Sequence, residues 1–141
     1  MGPIQSPEVE AWATGFPIAL LHLAVALAIF VVAAALYALL SPNREIGLIR
    51  EGNSAAALSF GGVLVGLGLP LAVALAASRS VLDVALWGVS VAAVALALFW
   101  VTDLALQGLP QRVREGDVPA AALLAAAKLA VAAILAAAVT G

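Results

Sequence analysis

Four long apolar stretches restrict what this sequence can fold into. They are residues 16–40, 54–77, 81–106 and 118–140. The hydrocarbon core of a bilayer, about 30 Å thick, is crossed by about 20 mainly apolar residues in a helix. Because backbone amides in lipid need partners within their own segment, each stretch is predicted to be a transmembrane helix. The expected fold is all-α with four spans, preceded by a short polar tail at residues 1–15.

The composition agrees with lipid as the main solvent. The chain is 65% hydrophobic and 10% charged, whereas soluble domains carry about 25% charged residues. A net charge of −2 without a basic cluster argues against a nucleic-acid partner. With one histidine and no cysteine, no metal or cofactor site is expected. No nucleophile–base pair and no long loop is visible, so no catalytic residues are assigned and an enzyme is not expected.

Breaker residues separate the predicted spans. Residues 41–53 and 107–117 contain proline and glycine and form the first and third loops, while residues 78–80 form a tight reversal. Ser54 and Asp117 are predicted to cap the helices that follow the two longer loops, because a side-chain oxygen can accept from the free amides there.

Cation counts predict the orientation. Positively charged residues near span ends favour the cytoplasmic side. The first and third loops each hold two arginines, against one in the reversal: Arg44, Arg50, Arg112, Arg114 and, in the reversal, Arg79. Loops 41–53 and 107–117 are therefore expected to be cytoplasmic, with both termini outside.

The chain also resembles one two-helix unit written twice. The segment "IREGNSAAALSFGG" (49–62) aligns with "VREGDVPAAALLAA" (113–126) at an offset of 64. The predicted hairpins are residues 16–77 and 81–141. Two helices in each repeat give both halves the same direction, so the repeat is parallel, with a pseudo-twofold axis along the membrane normal.

The second span is rich in glycine, in the segment "FGGVLVGLGLP". Gly62 and Gly66 form a small-xxx-small pair, which lets helix backbones approach closely in lipid. Tight packing is the favoured interpretation, and a hinge or the lining of a permeation route is the alternative. The residues assigned to packing or a hinge are Gly61, Gly62, Gly66, Gly68 and Pro70.

At "GNSAAALSFGGVLVGLGLPLAVA" (52–74), followed by "DVALWG" (83–88), the chain resembles the YjfL family of bacterial inner-membrane proteins. The shared pattern is an asparagine followed by small residues, then glycines, then Gly-x-x-x-Pro as in Gly66 to Pro70. The resemblance implies four helices in the bacterial inner membrane. It brings no established activity, because the domain of this family has no known function.

Two charged residues lie within the predicted spans. Asp103 is about 5 Å from the cytoplasmic end of the third helix, and Lys128 is about 15 Å into the fourth. A structural pair between them is favoured, because it would offset an insertion cost of about 3 kcal/mol for a central lysine. Snorkelling of Lys128 to the headgroups and a functional role in an aqueous cavity are the alternatives.

Three further polar residues are candidates for a site. His22 is able to act as a proton-sensitive group, although a hydrogen bond to a neighbouring carbonyl or an interfacial position is favoured. Asn53 and Ser59 are able to line a polar entrance, but capping and interhelical bonding explain them equally well.

Two functions remain open from the sequence. The first is a homo-oligomeric transporter or channel-like subunit for a small solute or ion, with the Gly/Ala faces of the second and fourth helices joining the copies. The second is a scaffold or accessory subunit without transport activity, which binds a membrane or cytoplasmic protein through those faces. The lipid bilayer is the expected partner in both.

Overall fold

The computed structural model describes residues 6–141, which form six helices and, within that range, no strand. Four of them are long and apolar enough to span a membrane. This confirms the prediction of an all-α fold with four candidate spans. The helices are α1 (Pro7–Leu40), α2 (Glu45–Arg50), α3 (Ser54–Ala77), α4 (Val81–Ala105), α5 (Leu109–Arg114) and α6 (Val118–Thr140).

Helix α1 begins at Pro7, well before residue 16, where the first span was predicted to start. Proline at the first helical position and the acids Glu8 and Glu10 in the first turn both favour a helix start. The sequence prediction followed apolarity alone and so read residues 7–15 as part of a tail. At 34 residues, α1 is about 51 Å long and exceeds the thickness of the hydrocarbon core.

Side-chain caps start the three later spans. The Asn53 side chain accepts from the amide of Ala56, and the Asp117 side chain accepts from that of Ala120. The prediction that Ser54 caps its helix is wrong, because Ser54 is already helical and the extended residue before it is Asn53. In the short reversal, Ser80 caps α4 in the same way.

Both halves follow the same order of a long helix, a six-residue helix and a second long helix. The offset of 64 found in the sequence relates α2 to α5 and the caps Asn53 and Asp117. It also relates two left-handed residues, Arg44 (φ 48°) and Gly108 (φ 89°), which precede the two short helices. A left-handed arginine is unfavourable by about 1 kcal/mol, so this turn is held by its surroundings. The two segments therefore share local geometry at these positions, and the duplication itself stays a prediction.

Helices α3 and α6 pack closely at the centre of the bundle. A Cβ atom at Gly62 would lie 2.6 Å from the Cβ and 2.7 Å from the Cα of Ala125 on α6. At Gly66 it would lie 2.7 Å from the Phe99 ring of α4. The absence of a side chain at these two positions therefore sets the separation of the helices.

The loops 41–53 and 107–117 lie at the same end of the bundle and are bonded to each other. The side-chain amide of Asn53 donates through Nδ2 to the backbone carbonyls of Val113 and Arg114, both at 3.1 Å. Arg114 donates through Nε to Oδ1 of Asn43 at 2.8 Å. The side-chain Nδ2 of Asn43 in turn donates to the backbone carbonyl of Pro110 at 3.0 Å. We call this the loop end of the molecule.

Candidate functional site

Lys128, Asp103 and Tyr37 form a closed triangle of polar contacts near the loop end. The Lys128 ammonium lies 2.8 Å from Oδ1 of Asp103. It also donates to the Tyr37 hydroxyl at 2.5 Å, and that hydroxyl donates to Oδ2 of Asp103 at 2.9 Å. The Lys128 side chain is 1% exposed, whereas that of Asp103 is 23% exposed. The ammonium is therefore enclosed by protein, while the carboxylate is partly accessible.

Three helices supply these groups. Side chains in a helix lean toward its N-terminus, so Lys128 on α6 reaches back toward the loop end, where α1 and α4 terminate. The Tyr37 ring lies under the ammonium, 4.8 Å from it, and meets the buried Phe99 ring edge-on at 6.4 Å. These aromatic contacts fix the hydroxyl at the position where it completes the triangle.

Glu45, the first residue of α2, is a fourth ionisable group in this region. It is 2% exposed, and its Oε2 atom has no hydrogen-bond partner. The pKa of this carboxyl is raised from 4.5 to about 7, mainly by burial and in smaller part by the negative charge of Asp103, while Lys128 and the Ser41 hydroxyl oppose the shift. Glu45 is therefore close to half protonated at neutral pH.

The pKa of Glu45 predicts a stability that depends on pH. Because the folded pKa of about 7 exceeds the ordinary 4.5, the protonated carboxyl stabilises the fold. This contribution is complete below about pH 4.5 and is lost as the pH rises to about 7, a change of roughly 3 kcal/mol. Glu45→Gln is expected to flatten the decrease in unfolding free energy measured in detergent between pH 5 and pH 8. Glu51→Gln, which alters an exposed acid of the same loop, should keep the decrease of the original chain.

A pocket of about 450 Å³ opens at the loop end between α1 and α4. Its polar lining comes from Tyr37, Ser41, Asn43 and Asp103, and Trp100 forms part of the apolar wall. We call it the loop-end pocket. Since Asp103 lines this pocket and also binds Lys128, its carboxylate separates the pocket from the buried ammonium.

The polar cluster breaks the similarity between the two halves. At the offset of 64, each of the four ionisable or hydroxyl residues has an aliphatic counterpart. The pairs are Tyr37 with Val101, Glu45 with Leu109, Leu39 with Asp103, and Leu64 with Lys128. The cluster is thus assembled from both halves but is absent from the pattern that they share.

Within residues 6–141, the other predicted polar residues form no hydrogen bond or ion pair with this cluster. His22 is half-buried on α1, 15 residues before Tyr37 in the same helix, which is about 22 Å along its axis. Asn53 caps α3 and joins the two loops, while Ser59 is buried on α3. Within residues 6–141, no group of three His, Asp or Glu side chains is placed to hold a metal ion.

The predicted packing residues fall into two groups. Gly62, Gly66 and Pro70 are buried within the bundle. At Gly61 an added Cβ would meet nothing within 4 Å, and at Gly68 it would meet only the Phe30 ring at 3.9 Å. Close packing therefore depends on the first group, and the second tolerates a side chain.

Sequence reasoning missed Tyr37 and Glu45. Tyr37 lies in the first predicted span and carries no charge, and Glu45 lies in a loop that was considered for its arginines. The alignment of the two halves held a usable signal, because it places these polar residues opposite Val101 and Leu109. A polar residue in one copy and an aliphatic residue in the other indicates different surroundings.

Comparison with known proteins extends the resemblance seen in the sequence. The family described as Domain of Unknown Function (DUF350) matches residues 11–139. The chain is 30% identical over 95 residues to the UPF0719 inner membrane protein YjfL of Escherichia coli K12, covering 67% of this chain and 72% of that protein. The protein of the same name in Escherichia coli O157:H7 matches equally well. No solved structure matches significantly.

Proposed function

Because the chain belongs to the DUF350 family of unknown function, we propose its role from the site itself. It is a multi-pass inner-membrane protein, and we propose that it acts as a homo-oligomeric transporter or channel-like subunit for a small solute or ion. The observation that carries this proposal is the buried Lys128–Asp103 pair, whose carboxylate lines the loop-end pocket.

Stability alone is a poor reason to keep such a pair. A charge in a membrane helix costs about 3 kcal/mol on insertion scales. Replacing a buried ion pair by apolar side chains of similar volume is often neutral or stabilising. Charged residues within membrane helices commonly mark the pathways of ions, protons or substrates. A cluster that is both costly and open to a pocket is therefore better explained by function.

The geometry supports exchange of cations at Asp103. A cation or proton that enters the loop-end pocket meets the exposed part of this carboxylate and competes with the Lys128 ammonium for it. Glu45 lies near both groups and has a pKa of about 7, so its proton would leave as positive charge arrives. Movement of Lys128 away from Asp103 would then open the cluster.

Several copies are proposed because the centre of one bundle is closed. The helices touch where Gly62 packs against Ala125 and where Gly66 packs against Phe99, and no room is left between them at these two contacts. Gly62 and Gly66 are buried inside a single protomer. Contacts between copies would therefore have to use other residues. We keep the predicted orientation, with the loop end in the cytoplasm, so that the pocket opens to the cell interior.

Proton flux into liposomes tests the proposal. The chain is reconstituted with an internal pH dye, and a potassium diffusion potential drives protons inward. We expect flux above that of empty liposomes, and a decrease of at least about tenfold in Asp103→Asn, which removes the charge at the pocket. Asp83→Asn is the matched control, because it makes the same change at the opposite end of α4 and should retain the flux.

If liposomes that carry the folded original protein conduct no more protons than empty ones, proton transport through Asp103 is contradicted. Reproducible co-purification with a larger protein, in the absence of flux, would then favour the scaffold. Light scattering of the detergent-solubilised protein gives the number of copies.

A further inference from the structure

An apolar groove continues from the loop-end pocket along the outside of the bundle. It measures about 360 Å³ and lies between α1 and α4. Leu96 lines both the groove and the pocket, while Ala33 in the groove is one turn from Tyr37 in the pocket. The two cavities thus form one continuous depression with a polar end and an apolar end.

Its dimensions fit an acyl chain. On α1 the lining runs from Ala28 in the groove to Leu40 in the pocket, which spans about 18 Å along the helix axis. Small residues on both helices, including Ala92 and Ala93, make the groove a recess in the lipid-facing surface. Only an amphiphile would fill both ends, because water is unfavourable in the apolar part and a plain hydrocarbon leaves the polar groups unmatched.

The acid at the polar end and an arginine in the adjoining depression complement the two charges of a zwitterionic headgroup. Asp103 is the ionisable acid that lines the pocket, and the Ser41 hydroxyl lies on the same wall. Ser41 and Pro42 also border a neighbouring depression, which Arg44 lines. An ammonium would be placed on Asp103 and a phosphate beside Arg44.

We propose that the α1/α4 depression binds one phospholipid with a primary-ammonium headgroup, with an acyl chain in the groove and the ammonium on Asp103. A primary ammonium donates hydrogen bonds to the carboxylate and to Ser41, which a quaternary ammonium does not. This predicts a preference for phosphatidylethanolamine over phosphatidylcholine. The binding does not depend on any transport activity.

Fluorescence quenching by brominated lipids tests the site. Trp100 lies in the pocket, so Trp12→Phe and Trp87→Phe leave it as the one reporter among the three tryptophans. In mixed micelles, brominated phosphatidylethanolamine is expected to associate about tenfold more strongly than the brominated choline lipid, as one charged hydrogen bond predicts. Asp103→Asn should reduce that preference to near unity.

A matched pair of substitutions tests the groove. Ala93→Phe places a ring in it, whereas Ala97→Phe adds the same ring one turn further along α4, outside both linings. The first should weaken the association several-fold for both lipids and the second should not. Circular dichroism and gel filtration check that each variant is folded.

Three outcomes would overturn the proposal. Equal quenching by the two lipids would indicate ordinary annular lipid. Competition by free ethanolamine as effective as that by the lipid would remove the role of the groove. Because the chain has no cysteine, a single Ala93→Cys substitution also gives a clean cross-linking probe. Efficient disulfide formation between two copies would show that a second protomer, and not a lipid, covers the groove.

Discussion

Gly62→Ala is expected to destabilise the protein by about 1–3 kcal/mol, the usual cost of overpacking a closed interface. The new Cβ would lie 2.7 Å from the Cα of Ala125. A backbone atom cannot rotate away, so α3 and α6 must separate along their contact. The free energy of unfolding is measured by titrating SDS into mixed micelles and following circular dichroism.

Two other glycines provide graded controls for this result. Gly61→Ala should be neutral, because its Cβ would meet nothing within 4 Å. Gly66→Ala should be intermediate, since its closest neighbour is the tip of the Phe99 ring, which is able to shift. If Gly62→Ala and Gly61→Ala were equally stable, the close approach of α3 to α6 would be contradicted.

Lys128→Met is expected to destabilise the fold by about 3–5 kcal/mol, the cost of removing one partner of a buried ion pair. Methionine keeps much of the volume and the length of the side chain. Asp103 then loses its cation, and Tyr37 loses the ammonium that donates to its hydroxyl. The same titration in mixed micelles measures this loss.

A double-mutant cycle separates the pairing from the packing. Adding Asp103→Asn removes the uncompensated charge, so Lys128→Met/Asp103→Asn should be more stable than Lys128→Met alone. The cost of the double variant should fall below the sum of the single costs by about 2 kcal/mol. If the cost of the double variant equals the sum of the two single costs, the 2.8 Å contact between Lys128 and Asp103 contributes no coupling energy to stability.

Hydropathy predicts the spans well because the hydrocarbon core of a bilayer favours apolar side chains along the whole length of a spanning helix. Three of the four predicted spans agree with α3, α4 and α6 to within one residue at either end. The exception is α1, where Pro7 and the acids after it begin a helix that apolarity does not detect. Ser54 was a plausible cap by residue type, but the choice between it and Asn53 depends on backbone geometry at a single residue.

The candidate site was only half predictable from the sequence. Depth along a helix and the lean of its side chains place Lys128 near Asp103, because both follow from the helix repeat. Tyr37 and Glu45 join them through the packing of α1 and the left-handed turn at Arg44. These are tertiary features, which helical periodicity does not encode.

All four members of the cluster come from one polypeptide: Tyr37 from α1, Glu45 from α2, Asp103 from α4 and Lys128 from α6. No neighbouring copy is needed to complete it, so each protomer in an assembly carries its own charged centre. The contribution of these contacts to the free energy of unfolding should therefore be the same in a single protomer and in any assembly, and should not change with protein concentration in detergent.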